Sequence, residues 1–370
     1  ARKVVCPMSG KDKQLEELIR TARDHHDPDI RFMAIRELTK KLDAIESISS
    51  SMQDPFRQST LHMLRDKHSD VQTTAVKMLG TLVRKMDNAQ VQELTRSLVK
   101  YLVNDNTKDK KLQQLQREQF QTAIKKCVKE LRTEDGAQVG GQMVRHLSEA
   151  LKSRDENLQL IVMDLLTDVV SRFGKDVKEY HEDLLYRLLS RLVKNKIEDI
   201  PIRAANTIGA LSRFLSDELF LSMMEGLMKS IEAKQGSGEN VTYINTVGVI
   251  SREVGFRVGD YLKELMPKLQ ASCTVRSMKA MDTEEDEKKN AIRIQLWEAC
   301  LMAFESFFRG CPDKMDKYAA DMVELFMAGM RYDPNFVSSE DGADLEEMEL
   351  EEEWGDDGAE GEGGGWGEEG

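Results

Sequence analysis

Apolar residues recur along this chain at helical spacing, in blocks that look alike. Each block opens on a turn containing Asp, continues with an aliphatic residue, and then sets small and apolar residues three and four apart. DPDIRFMAIREL at 27–38 is the first, followed by HSDVQTTAVKMLGTLV at 68–83, DENLQLIVMDLLTDVV at 155–170 and EDIPIRAANTIGALSRFL at 198–215. ENVTYINTVGVISREVG at 239–255 and AIRIQLWEACLMAFESFF at 291–308 are looser copies. Residues at i, i+3, i+4 and i+7 share one helix face, so each block predicts an amphipathic helix.

The leading aliphatic residues are Ile30, Val71, Leu158, Ile202, Val241 and Leu296, spaced 41, 87, 44, 39 and 55 apart. The longest interval is two periods, and LQQLQREQFQTAIKKCVKEL at 112–131 fills its middle. The 55-residue interval contains an acidic insert, DTEEDE at 282–287. Further amphipathic segments precede the blocks, at 15–22, 91–103, 143–153, 183–195, 219–231 and 261–273. In one of them Leu184, Leu185, Leu188, Leu189 and Leu192 fall on a single face.

A period of about 40–47 residues with two helices per unit predicts an all-α fold, an α–α superhelix of the HEAT or armadillo type. Each unit is an A helix, a turn and a B helix, and the Asp before each B helix is suited to capping its free N–H groups. Ala34, Ala75, Ala205 and Gly248 are small where neighbouring units approach. Stacked units would bury one continuous core and line a concave surface with B helices.

Three segments follow. Residues 1–10 lie outside the pattern and read as a disordered or non-native leader, since Met8-Ser9-Gly10 resembles a natural start. Residues 11–336 form the solenoid, about seven repeats with one unpaired helix, KYAADMVELFMAGM at 317–330. Residues 337–370 are acidic and Gly-rich, too poor in apolar side chains to offset the entropy of ordering, and are expected to be disordered. This tail reads first as a solubilising segment, and otherwise as an acidic arm for a basic partner or as a carrier of two Trp-Gly pairs, at 354–355 and 366–367.

Charge sharpens this division. The net charge is −13, but 15 acids lie between Glu340 and Gly370 and no base follows Arg331, so the body is close to neutral. Neither part has the concentrated basic patch of a nucleic-acid surface. No apolar run reaches the ~20 residues of a membrane helix.

The chemistry of catalysis is missing from the pattern. Cys6, Cys127, Cys273, Cys300 and Cys311 are scattered and read as reduced thiols, which implies a reducing compartment. His25 and His26 read as loop residues, and His62, His68, His146 and His181 are isolated. The carboxylates at 346–353 lack the ordered spacing of a calcium loop. With no nucleophile, base and orienting group together, no catalytic residue, no cofactor and no metal are assigned.

Some blocks resemble one family in particular, the N-terminal half of the cullin-associated, neddylation-dissociated proteins. The residues that carry this are IRFMAIREL (30–38), VQTTAVKMLGTLV (71–83), TYINTVGVISREVGFRVGDYLKELMP (242–267), AFESFFRGCP (303–312) and YDPN (332–335). The resemblance implies a scaffold that wraps unmodified cullin–RING ubiquitin ligase cores. Its N-terminal repeats engage the cullin and its RING subunit and occlude the neddylation site. It also implies substrate-receptor exchange with a C-terminal half not present in this chain, and residence in cytoplasm and nucleus. Contacts would lie on B helices and their loops, with Tyr243, Asn245, Arg252, Phe256 and Arg257 as candidates. Repeat packing is the plainer reading of each: Phe256 reads as core, and Arg31 and Arg203, which recur at one repeat position, as rungs between units. A nuclear transport carrier of the β-karyopherin kind is the alternative, since such carriers share the repeat and acidic loops. A phosphatase-type scaffold fits less well, because of the 55-residue spacing.

Overall fold

The computed structural model describes residues 10–104, 109–193, 197, 199–273 and 287–331, and all regular structure among them is helical. Seven helix pairs follow one another among the described residues. They are α1 (Gly10–Asp24) with α2 (Pro28–Asp43), α3 (Ser50–Met63) with α4 (Ser69–Lys85), and α5 (Asn88–Val103) with α6 (Lys110–Glu130). Next come α7 (Gly141–Ala150) with α8 (Glu156–Phe173), α9 (His181–Leu189) with α10 (Asp199–Ser212), and α11 (Asp217–Ala233) with α12 (Gly238–Val258). The last pair is α13 (Leu262–Ser272) with α14 (Glu287–Gly310), after which come a short α15 (Pro312–Met315) and α16 (Ala319–Arg331). Each even-numbered B helix from α2 to α14 packs on the next, so the solenoid is built chiefly by B-to-B stacking.

One apolar core runs through the pairs. Leu38 and Leu42 of α2, Leu79 and Leu82 of α4, Leu165 and Leu166 of α8, Ile208 of α10, Ile244 and Val247 of α12 and Phe304 and Phe307 of α14 are all fully buried. No pair encloses this surface alone, which is why stacking, and not helix propensity, holds the array together.

The helix starts follow from local chemistry in part. Asp27 accepts from the Asp29 N–H at 2.9 Å, Asp109 from Lys111 and Leu112, and Asp155 from Leu158 at 3.1 Å. These cap α2, α6 and α8. The expectation of an Asp cap before every B helix fails at α4 and at α12, whose cap residues, His68 and Ser237, make no side-chain capping bond. There Asp70 and Glu239 sit inside the first turn, where they still oppose the positive end of the helix dipole.

Polar rungs set the spacing between units. Arg31 holds Asp66 through two bonds of 2.8 Å, and it also donates to the His25 and His26 carbonyls. Arg117 pairs with Asp155 at 2.6 Å and Arg203 with Asp164 at 2.5 Å. A second set caps the end of one B helix from the next: Lys85 donates to the Ile45 carbonyl at 2.6 Å, Arg172 to that of Leu131, and Arg257 to those of Ser212 and Leu215.

The structure departs from the sequence reading in places. α3 was not foreseen. Gly10, grouped with the leader, opens α1, and Glu287, grouped with the acidic insert, opens α14. The helix expected over 183–195 ends at Leu189. Ile30 and Ile202 begin their blocks but face outward, at 40% and 56% exposure, while Val71, Leu158 and Leu296 are buried. Residues 1–9, 282–286 and the acidic tail lie outside the described residues, with Cys6, Trp354 and Trp366 among them.

Candidate protein-binding face

The tightest stacking in the array joins α12 to α14. A Cβ on Gly248 would lie 3.3 Å from the Ala303 Cα, and one on Gly310 would lie 2.8 Å from the Gly255 Cα and 3.0 Å from the Ser251 carbonyl oxygen. Backbone therefore meets backbone, and only glycine fits at the closest point. Ser251 fastens the crossing by donating to the Ser306 carbonyl at 3.3 Å. The regular helix of α12 is interrupted at Val254, whose φ and ψ are −143° and 46°.

This helix carries all five candidate residues, and the structure separates them. Asn245 and Arg252, seven positions apart before the break at Val254, lie on one side of the helix, and Phe256 follows beyond the break. Asn245 is half-buried, Arg252 exposed, and Phe256 is 73% exposed. Phe256 is therefore not core, as its aromatic character suggested. It stands on the last turn of the helix, beyond the break at Val254, open to solvent. Tyr243 points the other way and is buried.

Arg257 is occupied inside the chain. Its guanidinium sits 3.9 Å from the centre of the Phe220 ring and donates to the Ser212 and Leu215 carbonyls and, at 2.9 Å, to the Asp217 carboxylate. This residue staples α12 to the turn between α10 and α11.

Asn245 opens into a groove of roughly 860 Å³ between α10, α12 and α14. Ile202, Val241, Ile292 and Met302 give it apolar walls, and Glu239 and Glu298 add carboxylates. Met302 is 52% exposed and Ile202 56%, so apolar surface stands open here to a partner's side chains. The sequence reading missed Ile202 and Met302 as surface residues. Their signal was positional: each lies one step off the buried stripe of its helix.

The titratable groups elsewhere serve the fold. His25 and His26 stack at 4.5 Å, and the His25 Nδ1 accepts from the Asp27 N–H. Burial lowers the His181 pKa, and its ring Nε2 lies 2.9 Å from the Gly174 carbonyl. Burial pushes the Cys127 thiol up to about 12. Among the described residues no three His, Cys, Asp or Glu side chains gather to hold a metal ion, and no helix is long and apolar enough to cross a membrane.

A helical-repeat scaffold for protein–protein contact is the class this fold and face define. Comparison with known proteins agrees and places the chain in the HEAT-repeat superfamily. No family model matches it. Cullin-associated NEDD8-dissociated protein 2 of Mus musculus is 29% identical over 326 residues, covering 85% of this chain and 24% of that protein. The protein 1 homologue of Arabidopsis thaliana is 28% identical over 318 residues, 85% of this chain and 24% of its own. That of Dictyostelium discoideum is 25% identical over 326 residues, 85% and 25%. The chain thus spans about a quarter of the length of the curated relatives it matches. Among solved structures, a Kap121p mutant superposes with a TM-score of 0.56 at 13% identity, over 89% of this chain and 32% of that one. Kap121p bound to Nup53p gives 0.52 at 14% identity, over 86% and 36%. These two share the fold.

Proposed function

We propose that this chain binds unmodified cullin–RING ubiquitin ligase cores through its B-helix face, covering the cullin neddylation site and contributing to substrate-receptor exchange in the cytoplasm and nucleus. One observation carries the reading. Relatives whose names describe cullin association, from mammal, amoeba and plant, align with 83–88% of the chain at 25–29% identity. The groove beside Asn245, with exposed Phe256 further along the same helix, supplies a surface suited to it: open apolar anchors among mixed polar groups, as protein interfaces require.

The test is a pull-down of purified cullin–RING core, unmodified and NEDD8-conjugated, on the immobilised chain. Capture of the unmodified form alone is expected. Equal capture of both would remove the occlusion step, and capture of neither would remove the reading.

The likeness to Kap121p favours a second reading, a nuclear transport carrier of the β-karyopherin kind. Such a carrier would bind the small transport GTPase in its GTP state, and absence of that binding would exclude it.

A further inference from the structure

The A helices form the other side of the helix pairs, and they are not evenly spaced. α1 lies against α3, α3 against α5, α5 against α7, and α11 against α13, while α9 packs only weakly on both α7 and α11, and an opening lies between α9 and α11. The opening is a groove of roughly 530 Å³. Leu185, Tyr186, Leu189, Leu219 and Met223 supply its apolar lining.

Two properties mark this groove. First, apolar surface is open in and beside it: Tyr186 is 76% exposed, Leu189 and Leu219 are half-buried over a floor of buried Leu185 and Met223, and Leu221, just outside on α11, is 45% exposed. Second, its charge has one sign. Glu179, Glu182 and Asp183 line it with no cation among the lining residues, and exposed Glu218 and Glu225 continue the acidic surface along α11. Arg187 bonds Asp183 at 2.6 Å from the next turn of α9, outside the groove.

An apolar floor under a carboxylate fringe selects its occupant. An acidic segment meets like charge, and a purely apolar one leaves the carboxylates to be desolvated without partners. A segment with Arg or Lys beside aliphatic side chains satisfies both. Its aliphatic groups would cover Leu189 and Leu219, and its cations would reach Glu182 and the open face of the Tyr186 ring, where a cation–π contact strengthens as water leaves. We propose that the α9–α11 groove docks a protein segment that carries basic and aliphatic residues together. This goes beyond the cullin reading, which concerns the B-helix face, and stands or falls separately.

The experiment titrates the full chain into a fluorescein-labelled peptide of about fourteen alternating Arg and Leu residues, followed by anisotropy, with a Glu and Leu peptide as counterpart. The variants are Tyr186→Ala and Glu182→Lys. Both side chains are exposed, so circular dichroism is expected to be unchanged. The wild type is expected to bind the Arg peptide, each substitution to weaken it about tenfold, and added salt to weaken it further. A photo-reactive version should label residues 179–193 and 217–225. The proposal is overturned if both variants bind like the wild type, if the Glu peptide binds equally, or if labelling is confined to the acidic segment after Glu340.

Discussion

Arg31 and Asp66 stand 35 positions apart and meet through two parallel hydrogen bonds of 2.8 Å, with both side chains nearly buried. This pair joins the first repeat to the second. Burial alone would raise the Asp66 carboxyl pKa, but the Arg31 guanidinium and the His68 N–H outweigh it, and the group sits below its ordinary value. A carboxylate depressed by folding stabilises the native state above its unfolded pKa of about 3.9, and that contribution disappears as pH falls through the folded value. Asp66→Ala is expected to cost about 3 kcal/mol at pH 7, because it leaves a buried guanidinium without its counter-charge. Denaturation curves at pH 7 and pH 3 check this: the gap between wild type and variant should shrink at the lower pH.

Gly255 and Gly226 give opposite results on substitution by alanine. A Cβ at Gly255 would meet the Gly310 backbone, with the carbonyl carbon at 2.7 Å, and backbone cannot step aside. Gly255→Ala is expected to destabilise by about 2–3 kcal/mol. Gly226 lies within α11 with nothing inside 4 Å of an added Cβ. Gly226→Ala is expected to stabilise by about 0.5–1 kcal/mol through helix propensity. Chemical denaturation of both variants decides the signs.

Phe256 and Arg257 are neighbours in sequence with different tasks. Phe256→Ala removes an exposed ring and should leave the unfolding midpoint unchanged, while weakening capture of the unmodified cullin–RING core about tenfold. Arg257→Ala strips the staple on Phe220, Ser212 and Leu215 and should lower stability by about 2 kcal/mol. Measuring both quantities for both variants separates interface from scaffold.

Much of the solenoid was legible because its B helices repeat a strong apolar period. α3 escaped because its sequence, SSMQDPFRQSTLHM, is polar and holds Pro55 in the helix interior. The burial of Met52, Phe56, Thr60 and Met63 shows the stripe that was there. It includes Thr60 and is interleaved with buried Gln53 and Ser59, types that a hydrophobicity count ranks low, and Thr60 is made compatible with burial by donating to the Phe56 carbonyl at 2.8 Å. The binding face was harder to read for a related reason. Spacing says which residues share a stripe, but which stripe faces out depends on the neighbouring repeat. Ile202, Met302 and Phe256 have core chemistry and surface positions, so composition hides their exposure, and it led Phe256 to be read as core. Tyr243 and Arg257, drawn from the same block, are held by packing and by carbonyls that no local pattern announces.

Cys127 provides a chemical check on the stacking. Its thiol, buried between repeats and raised to about 12, is overwhelmingly protonated at pH 8. Iodoacetamide at that pH should leave it unmodified in the native chain and alkylate it readily in urea, as peptide mass mapping would show. Rapid native labelling would mean that α6 opens far more often than its burial allows.

The rungs from Lys85, Arg172 and Arg257 all run backward, from a later B helix to carbonyls left bare at the end of an earlier one. The array therefore has a direction. Each unit that makes such a rung completes the one before it, while its own end waits on the unit after. Loss of order at one such repeat withdraws hydrogen bonds from its predecessor first, so damage should spread toward the N-terminus more readily than away from it. A force or protease acting at the later repeats would then unzip the chain in steps, whereas one acting at the first repeat would meet a unit already fastened from behind.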